Sequence, residues 1–262
     1  MNDILNKLSN SAMARVESNY YAVERKKETE KNPLSFTKSI KDQNSVAIIG
    51  EIKPGSPTRG KIVDRNFDLS ELTTAYLAGG VAGFSVLTDP DHFYGSLDNL
   101  LKIAELDKPT LMKDFVIDYS QIRAGKECGA DAVLFIYRLF GRNVINFSLD
   151  EGINYAHDLG LQVLLETNDL YEYKSALKTD ADMIGINNRD LRSLKVDLAT
   201  TKKILAKAGK DRIVWSMSGI SNRSDIDFLK EAGADAFLIG TSLAQSDNPQ
   251  RLLRQLRGTY DG

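Results

Sequence analysis

A single cysteine, Cys128, stands in 262 residues, so no intrachain disulfide can form, and a reducing compartment is the natural setting. At a helix end before Gly129, that thiol is expected to be buried rather than nucleophilic. Histidine is nearly as scarce. His92 is expected in a loop and His157 inside a helix, with no ligand spacing between them, so no metal site is expected. Neither sign of charge dominates: 34 basic residues against 36 acidic leave a net charge of −2. Nucleic-acid binding usually leaves a basic footprint, and none shows here. Apolar runs stay short of the ~18 residues a membrane span needs. The opening MNDILNKLSN mixes charge and polarity too early for the apolar core of a secretion signal. The expectation is a cytoplasmic protein with neither a membrane nor a nucleic-acid partner. What remains is ordinary globular material, 42% hydrophobic and 27% charged.

Residues 4 to 23 place Ile4, Leu8, Ala12, Val16 and Tyr20 four apart, the spacing of an amphipathic helix. Asn32 and Pro33 break the connector behind it. Eight short apolar runs follow: VAIIGEIK (46–53), AGFSVLT (82–88), PTLMKDF (109–115), DAVLFIY (131–137), LQVLLET (161–167), MIGINN (183–188), RIVWSMS (212–218) and AFLIGTS (236–242). Most are continuous rather than alternating, as parallel strands buried on both faces require. Helical stretches lie between them, and Gly129, Gly160, Gly209 and Gly233 mark helix ends. Eight strand–helix units without a linker favour an α/β fold of one domain, a closed (β/α)8 TIM barrel over 46–262 behind an N-terminal helical extension over 1–45. The open doubly wound sheet is the alternative. It normally carries G-x-G-x-x-G after its first strand, and GEIKPGSPTRG lacks that spacing.

Barrel enzymes keep their chemistry at the C-terminal ends of the strands. There the first run carries Glu51 and Lys53, two apart and so on one face. The third ends in Lys113, Asp114 and Phe115, the fifth in Glu166 and Asn168, and the sixth in Asn187, Asn188 and Arg189. Lysines and carboxylates meeting over the mouth can tune one another for proton transfer. After runs seven and eight come Ser218, Gly219, Gly240 and Thr241, small residues of the kind that bind phosphate through backbone N–H groups. A phosphorylated small-molecule substrate is the expectation. Taken singly, a strand-end lysine is commonly a solvated rim residue and a Glu–Lys pair a structural ion pair. The functional reading rests on five strands ending in polar groups at one face. Trp215, Phe84 and Phe135 read as core, whereas Phe115 follows the mouth lysine and is placed to wall an aromatic pocket.

At these residues the chain resembles the indole-3-glycerol-phosphate synthases. EIKPGSP (51–57), PTLMKDF (109–115), LLETND (164–169), IGINNRDL (184–191), SGIS (218–221) and GADAFLIGTSL (233–243) look like that family's signatures in order and spacing. The resemblance implies closure of the indole ring of 1-(o-carboxyphenylamino)-1-deoxyribulose 5-phosphate, with loss of carbon dioxide and water and no cofactor. By that likeness Lys113 is the general acid at the substrate carbonyl. Lys53 pairs with the anthranilate carboxylate and is a candidate acid for the later loss of hydroxyl. Glu166 is a general base, or stabilises charge on the anilino nitrogen. Glu51 and Asn187 hydrogen-bond around the lysines and sugar hydroxyls, and Arg189 supports them. Phe115 packs on the aromatic ring, and Ser56, Ser218, Gly219, Gly240 and Thr241 hold the phosphate.

One position departs from the pattern: where the family usually has E-S-G, this chain reads Met217-Ser218-Gly219. Met217 can neither carry charge nor donate a proton, which leaves the acid and base in place and removes a secondary carboxylate. Three other readings stay open: a Schiff-base aldolase using Lys113 or Lys53 as nucleophile, a related phosphoribosyl isomerase, for whose Asp or Cys acid–base pair Asp114 and Cys128 sit poorly, and a non-catalytic paralogue that binds phosphorylated ligands or a partner enzyme. The loops 54–66 and 88–96 are placed to close over substrate. Oligomeric state is left open, a monomer included.

Overall fold

A computed structural model describes residues 4–23, 33–56, 60–61, 68–142 and 144–259. All eight apolar runs are strands: β1 (Ala47–Ile52), β2 (Gly83–Leu87), β3 (Thr110–Lys113), β4 (Ala132–Ile136), β5 (Gln162–Thr167), β6 (Met183–Asn187), β7 (Ile213–Met217) and β8 (Ala236–Ile239). Each pairs in parallel with its sequence neighbour, and β8 pairs with β1 to close the barrel. Helices follow the strands on the outside, and the four glycines expected to end helices all take positive φ, from 65° at Gly209 to 104° at Gly233. Among the described residues no helix is long and apolar enough to cross a membrane.

The continuous hydrophobicity of the strands has a plain cause. Ile48, Val133, Val163, Ile184 and Val214 pack outward against helices, while Ile49, Leu111, Leu134, Leu164, Trp215 and Leu238 form a second buried cluster inside the barrel. The two sets alternate along each strand, so both faces are dry. Following the inward series upward leads from Ala47 and Ile49 to Glu51, from Leu111 to Lys113, and from Leu164 to Glu166. The catalytic candidates are the inward row continued past the apolar layers.

The helices owe much to their caps. In the helix Leu149–Asp158 the Ser148 hydroxyl accepts the Glu151 N–H at 3.3 Å and the Glu151 carboxylate accepts the Ser148 N–H at 2.7 Å. Ser148→Ala should cost about 1 kcal/mol in urea denaturation; an unchanged midpoint would mean water caps this helix as well.

The N-terminal segment serves both ends of the barrel. Its first helix, α1 (Ile4–Glu17), lies across the mouth and is shorter than the periodicity predicts. Asn19 takes a left-handed φ of 60°, a conformation that ends a right-handed helix. Tyr20 and Tyr21 then turn inward, and the Tyr20 hydroxyl donates to the Thr88 carbonyl at 3.0 Å. At the other end α2 (Phe36–Lys41) plugs the bottom. Phe36 is fully buried against Trp215, their ring centroids 5.2 Å apart. The Leu34 and Phe36 N–H groups donate to Asp131 and Gln162 at the starts of β4 and β5, both at 2.7 Å. Asn32 lies outside the described residues, as do 57–59 and 62–66 of the first loop expected to close. In the second such loop, Asp89 caps a short helix (Pro90–Phe93), so His92 stands on a helix rather than in the loop expected for it. Gly95 follows, where any Cβ would overlap the Leu87 carbonyl.

Candidate active site

Above the last apolar layer the strand ends enclose a cavity of about 540 Å³, within the usual range for small-molecule sites. Glu51, Lys53, Lys113, Phe115, Glu166, Asn187, Arg189, Ser218, Gly219, Gly240 and Thr241 all line it, so eleven of the twelve sequence candidates are brought together. The twelfth, Ser56, has its backbone in a short hairpin pairing with Gly60, and its side chain lies outside the described part of the structure.

Glu51 is the electrostatic centre. Its carboxylate reaches Lys113 Nζ at 3.1 Å and Lys53 Nζ at 3.6 Å. It can sit there because Gly240 has no side chain: a Cβ would come within 2.8 Å of Glu51 Oε1. Burial disfavours the Glu51 charge, but the two lysines outweigh that and pull its pKa down to about 2. The lysines themselves are pushed apart. For Lys113 burial works against the charge, yet Glu51 and Glu166 prevail and hold it above its ordinary value. For Lys53 the nearby Glu51 favours the charge, but burial and the like charges of Lys113 and Arg189 prevail and bring it below. Two lysines of different proton affinity around one carboxylate suit two different acid roles.

Glu166 faces this triad from β5 and is buried. The Asn187 amide fixes it: Nδ2 donates to Glu166 Oε1 at 2.8 Å, while Oδ1 accepts the Arg189 N–H at 3.0 Å. These two partners settle which way the amide points. Burial pushes the Glu166 carboxyl above the usual range, against the opposing pull of Lys113 and the Asn187 hydrogen bond. Asn168, two residues on, steadies the β6 end by donating to the Arg189 carbonyl at 3.0 Å. The Arg189 guanidinium donates to the Leu194 carbonyl at 3.0 Å, which folds the loop after β6 so that Leu191 and Val196 wall the cavity.

The small residues line the cavity at the ends of β7 and β8, between the strands that carry Asn187 and Glu51. Ser218 and Gly219 are consecutive left-handed residues, with φ of 69° and 87°. Left-handed backbone is costly for serine. The buried Asn188 amide holds the turn by donating to the Met217 and Ser218 carbonyls at 3.0 and 3.2 Å. Gly240 and Thr241 complete that side, tied to it by the Ser242 hydroxyl donating to the Ile220 carbonyl at 2.7 Å.

Other parts of the site are not evident from the sequence. Phe93 stands 6.1 Å from Phe115 between ring centroids, with Lys53 Nζ 5.8 Å from its own ring. Ile4, Leu5 and Leu8 of α1 add an apolar wall. Their helical spacing signals a buried face without saying what it faces. Arg15, also on α1, is buried among carboxylates: Asp91 at 2.9 Å, Asp114 at 3.2 Å and Asp89 at 3.3 Å. Asp114 accepts hydrogen bonds from the Tyr21 and Thr88 hydroxyls at 2.8 and 2.6 Å. It is therefore an anchor for α1 beside Lys113. Asp89, Asp91 and His92 stand close enough to share an ion, but the Arg15 guanidinium already supplies the positive charge among them. Cys128 is buried, and burial raises its thiol pKa to about 12.

A family model described as indole-3-glycerol phosphate synthase matches residues 2–256. Proteins bearing that name include one from Caldanaerobacter subterraneus subsp. tengcongensis, 40% identical over 224 residues, covering 84% of this chain and 85% of the relative. One from Methanocaldococcus jannaschii is 38% identical over 228 residues, covering 86% and 84%. Among solved structures, a thiamine phosphate pyrophosphorylase from Pyrococcus furiosus superposes with a TM-score of 0.59 at 15% identity, covering 82% of this chain and 96% of that one. That last likeness is one of fold alone.

Proposed function

The chain belongs to the indole-3-glycerol phosphate synthase family, and on that premise we propose how its cup divides the family's reaction among its side chains. It is a lyase of tryptophan biosynthesis. The substrate is 1-(o-carboxyphenylamino)-1-deoxyribulose 5-phosphate. The ring carbon bearing the carboxylate attacks the ribulose carbonyl and so closes the five-membered ring, carbon dioxide leaves as aromaticity returns, and loss of the hydroxyl as water completes the indole.

The observation that carries this reading is Glu51 held between two lysines at the strand ends, with Lys113 Nζ at 3.1 Å and Lys53 Nζ at 3.6 Å. Lys113, kept charged, protonates the carbonyl oxygen as the carbon–carbon bond forms. Lys53 pairs with the anthranilate carboxylate, then supplies the proton for the departing hydroxyl, for which its lower pKa suits it. Glu166 takes the proton lost in dehydration, held in place by Asn187. Phe115 and Phe93 pack on the aromatic ring, and Arg189 steadies the rim. Ser56, Ser218, Gly219, Gly240 and Thr241 receive the phosphate. A Schiff base on Lys113 would need a neutral amine, which its pairing with Glu51 opposes.

Incubation with the carboxyphenylamino substrate should give the rising fluorescence of the indole product, and borohydride should trap no adduct. Silence in that assay with phosphate ligands still bound would sink the enzymatic reading. With Glu166 as base, kcat/KM should rise with pH through a limb above the ordinary carboxyl value of 4.5, since the folded pKa is raised. Glu166→Gln should remove that limb; a limb persisting in the variant would assign it elsewhere.

A further inference from the structure

The floor beside Glu166 is apolar, and one side chain makes it so. Gly185 stands opposite Glu166 in the β5–β6 register, offering no side chain to cover the carboxyl on that flank. Met217 stands opposite Asn187 in the β6–β7 register. Its thioether bends into the gap: Cε lies 2.9 Å, and Sδ 3.2 Å, from where a Gly185 Cβ would be, with Leu164 Cδ1 at 3.6 Å. Met217 is 1% exposed, so the space between the two rungs holds a sulfur and methyl groups rather than water. Among the described residues Asn187 is the one side chain that hydrogen-bonds Glu166.

We propose that Met217 is a positioning residue for Glu166, sealing its β6 flank so that the carboxyl exchanges its proton with bound substrate and not with solvent. The inference rests on the reading of Glu166 as the proton-moving group. The charged groups that face Glu166 are Lys113 from β3, Glu51 from β1 and Glu172 from the helix after β5 (Leu170–Ala176). Met217 replaces none of them. It changes how well water can compete with them: Glu166 is buried, and with the space at the facing Gly185 filled by a thioether its carboxyl has one amide to replace the solvation it has lost. A flexible, polarisable side chain suits such an irregular gap. A carboxylate at position 217 would have set a second negative charge beside Glu166.

The test is a titration of the Glu166 carboxyl by carbon-13 NMR of glutamate-labelled protein, with the signal assigned by its loss in Glu166→Gln. Met217→Leu keeps the gap dry and should leave the midpoint within ~0.3 pH unit of the parent. Met217→Gln brings a donor and water to the carboxylate and should lower the midpoint by about one pH unit. The acid limb of kcat/KM should move by the same amount. Should the glutamine variant not fold, Met217→Ala, which opens the gap without adding a polar group, must lower the midpoint too. An unmoved midpoint in the folded polar or alanine variant overturns the proposal, as does a leucine variant that shifts equally. A parent that titrates as expected yet makes no indole product would fail the functional reading and leave the seal standing.

Discussion

Lys113→Met should lower kcat by about three orders of magnitude, in the range assigned to a positioned general acid, with KM changed only a few-fold. Methionine preserves the side chain's bulk and removes the ammonium alone. Attack by the ring carbon builds negative charge on the carbonyl oxygen, and no neutral group in the cup can deliver a proton there with comparable ease. Substrate binding should survive, because the small residues at the ends of β7 and β8, the two phenylalanines and α1 are untouched. A second consequence follows for Glu51. Its pKa of about 2 depends on both lysines, so with Lys53 alone it should rise. Steady-state kinetics with circular dichroism as a folding control decide the matter: a loss under ten-fold would take the acid role away from Lys113.

Arg15→Met should be the most destabilising single change in the N-terminal segment, costing about 3–5 kcal/mol because it leaves buried carboxylates uncompensated. The side chains of Asp89 and Asp114 are fully buried and that of Arg15 is 6% exposed. The loss carries a signature in pH. Burial already raises the folded pKa of Asp114 despite Arg15 beside it, so ionised Asp114 weakens the fold as pH rises through that value. Without Arg15 the folded pKa climbs further, and the deficit should be larger at pH 8 than at pH 5. Adding Asp114→Asn should recover part of it. Urea denaturation of the single and double variants at both pH values is the measurement; a deficit under 1 kcal/mol, or one indifferent to pH, would show that the cluster is not an ionic anchor.

The barrel could be read from the sequence because burial on both strand faces leaves continuous apolar runs, and the helices between them end in glycines with no other use. Glu51, Lys113 and Glu166 could be found by their place at the top of the inward row. Arg15 could not: an arginine on an amphipathic helix reads as exposed, and nothing local announces that Asp89 and Asp114 come to meet it. The end of α1 at Glu17 depends on Asn19 turning left-handed, where the apolar spacing continues through Tyr20. The reach of Met217 into the gap at Gly185 joins neighbouring strands, and no periodicity along either reveals it.

The N-terminal segment is translated well before the strands it docks on, so its seats are made late. Leu34 docks on a residue 97 positions on, Arg15 on one 99 on and Phe36 on one 126 on. Contacts of such separation form slowly, because a long loop must close before they return anything. The segment therefore has to wait, with its apolar face uncovered, until β4 and β5 have been translated and paired. Pulsed hydrogen exchange during refolding should find the Leu34 and Phe36 amides protected after those of the central strands. That interval, more than any weakness of the finished barrel, is when this chain is most open to aggregation and to capture by chaperones.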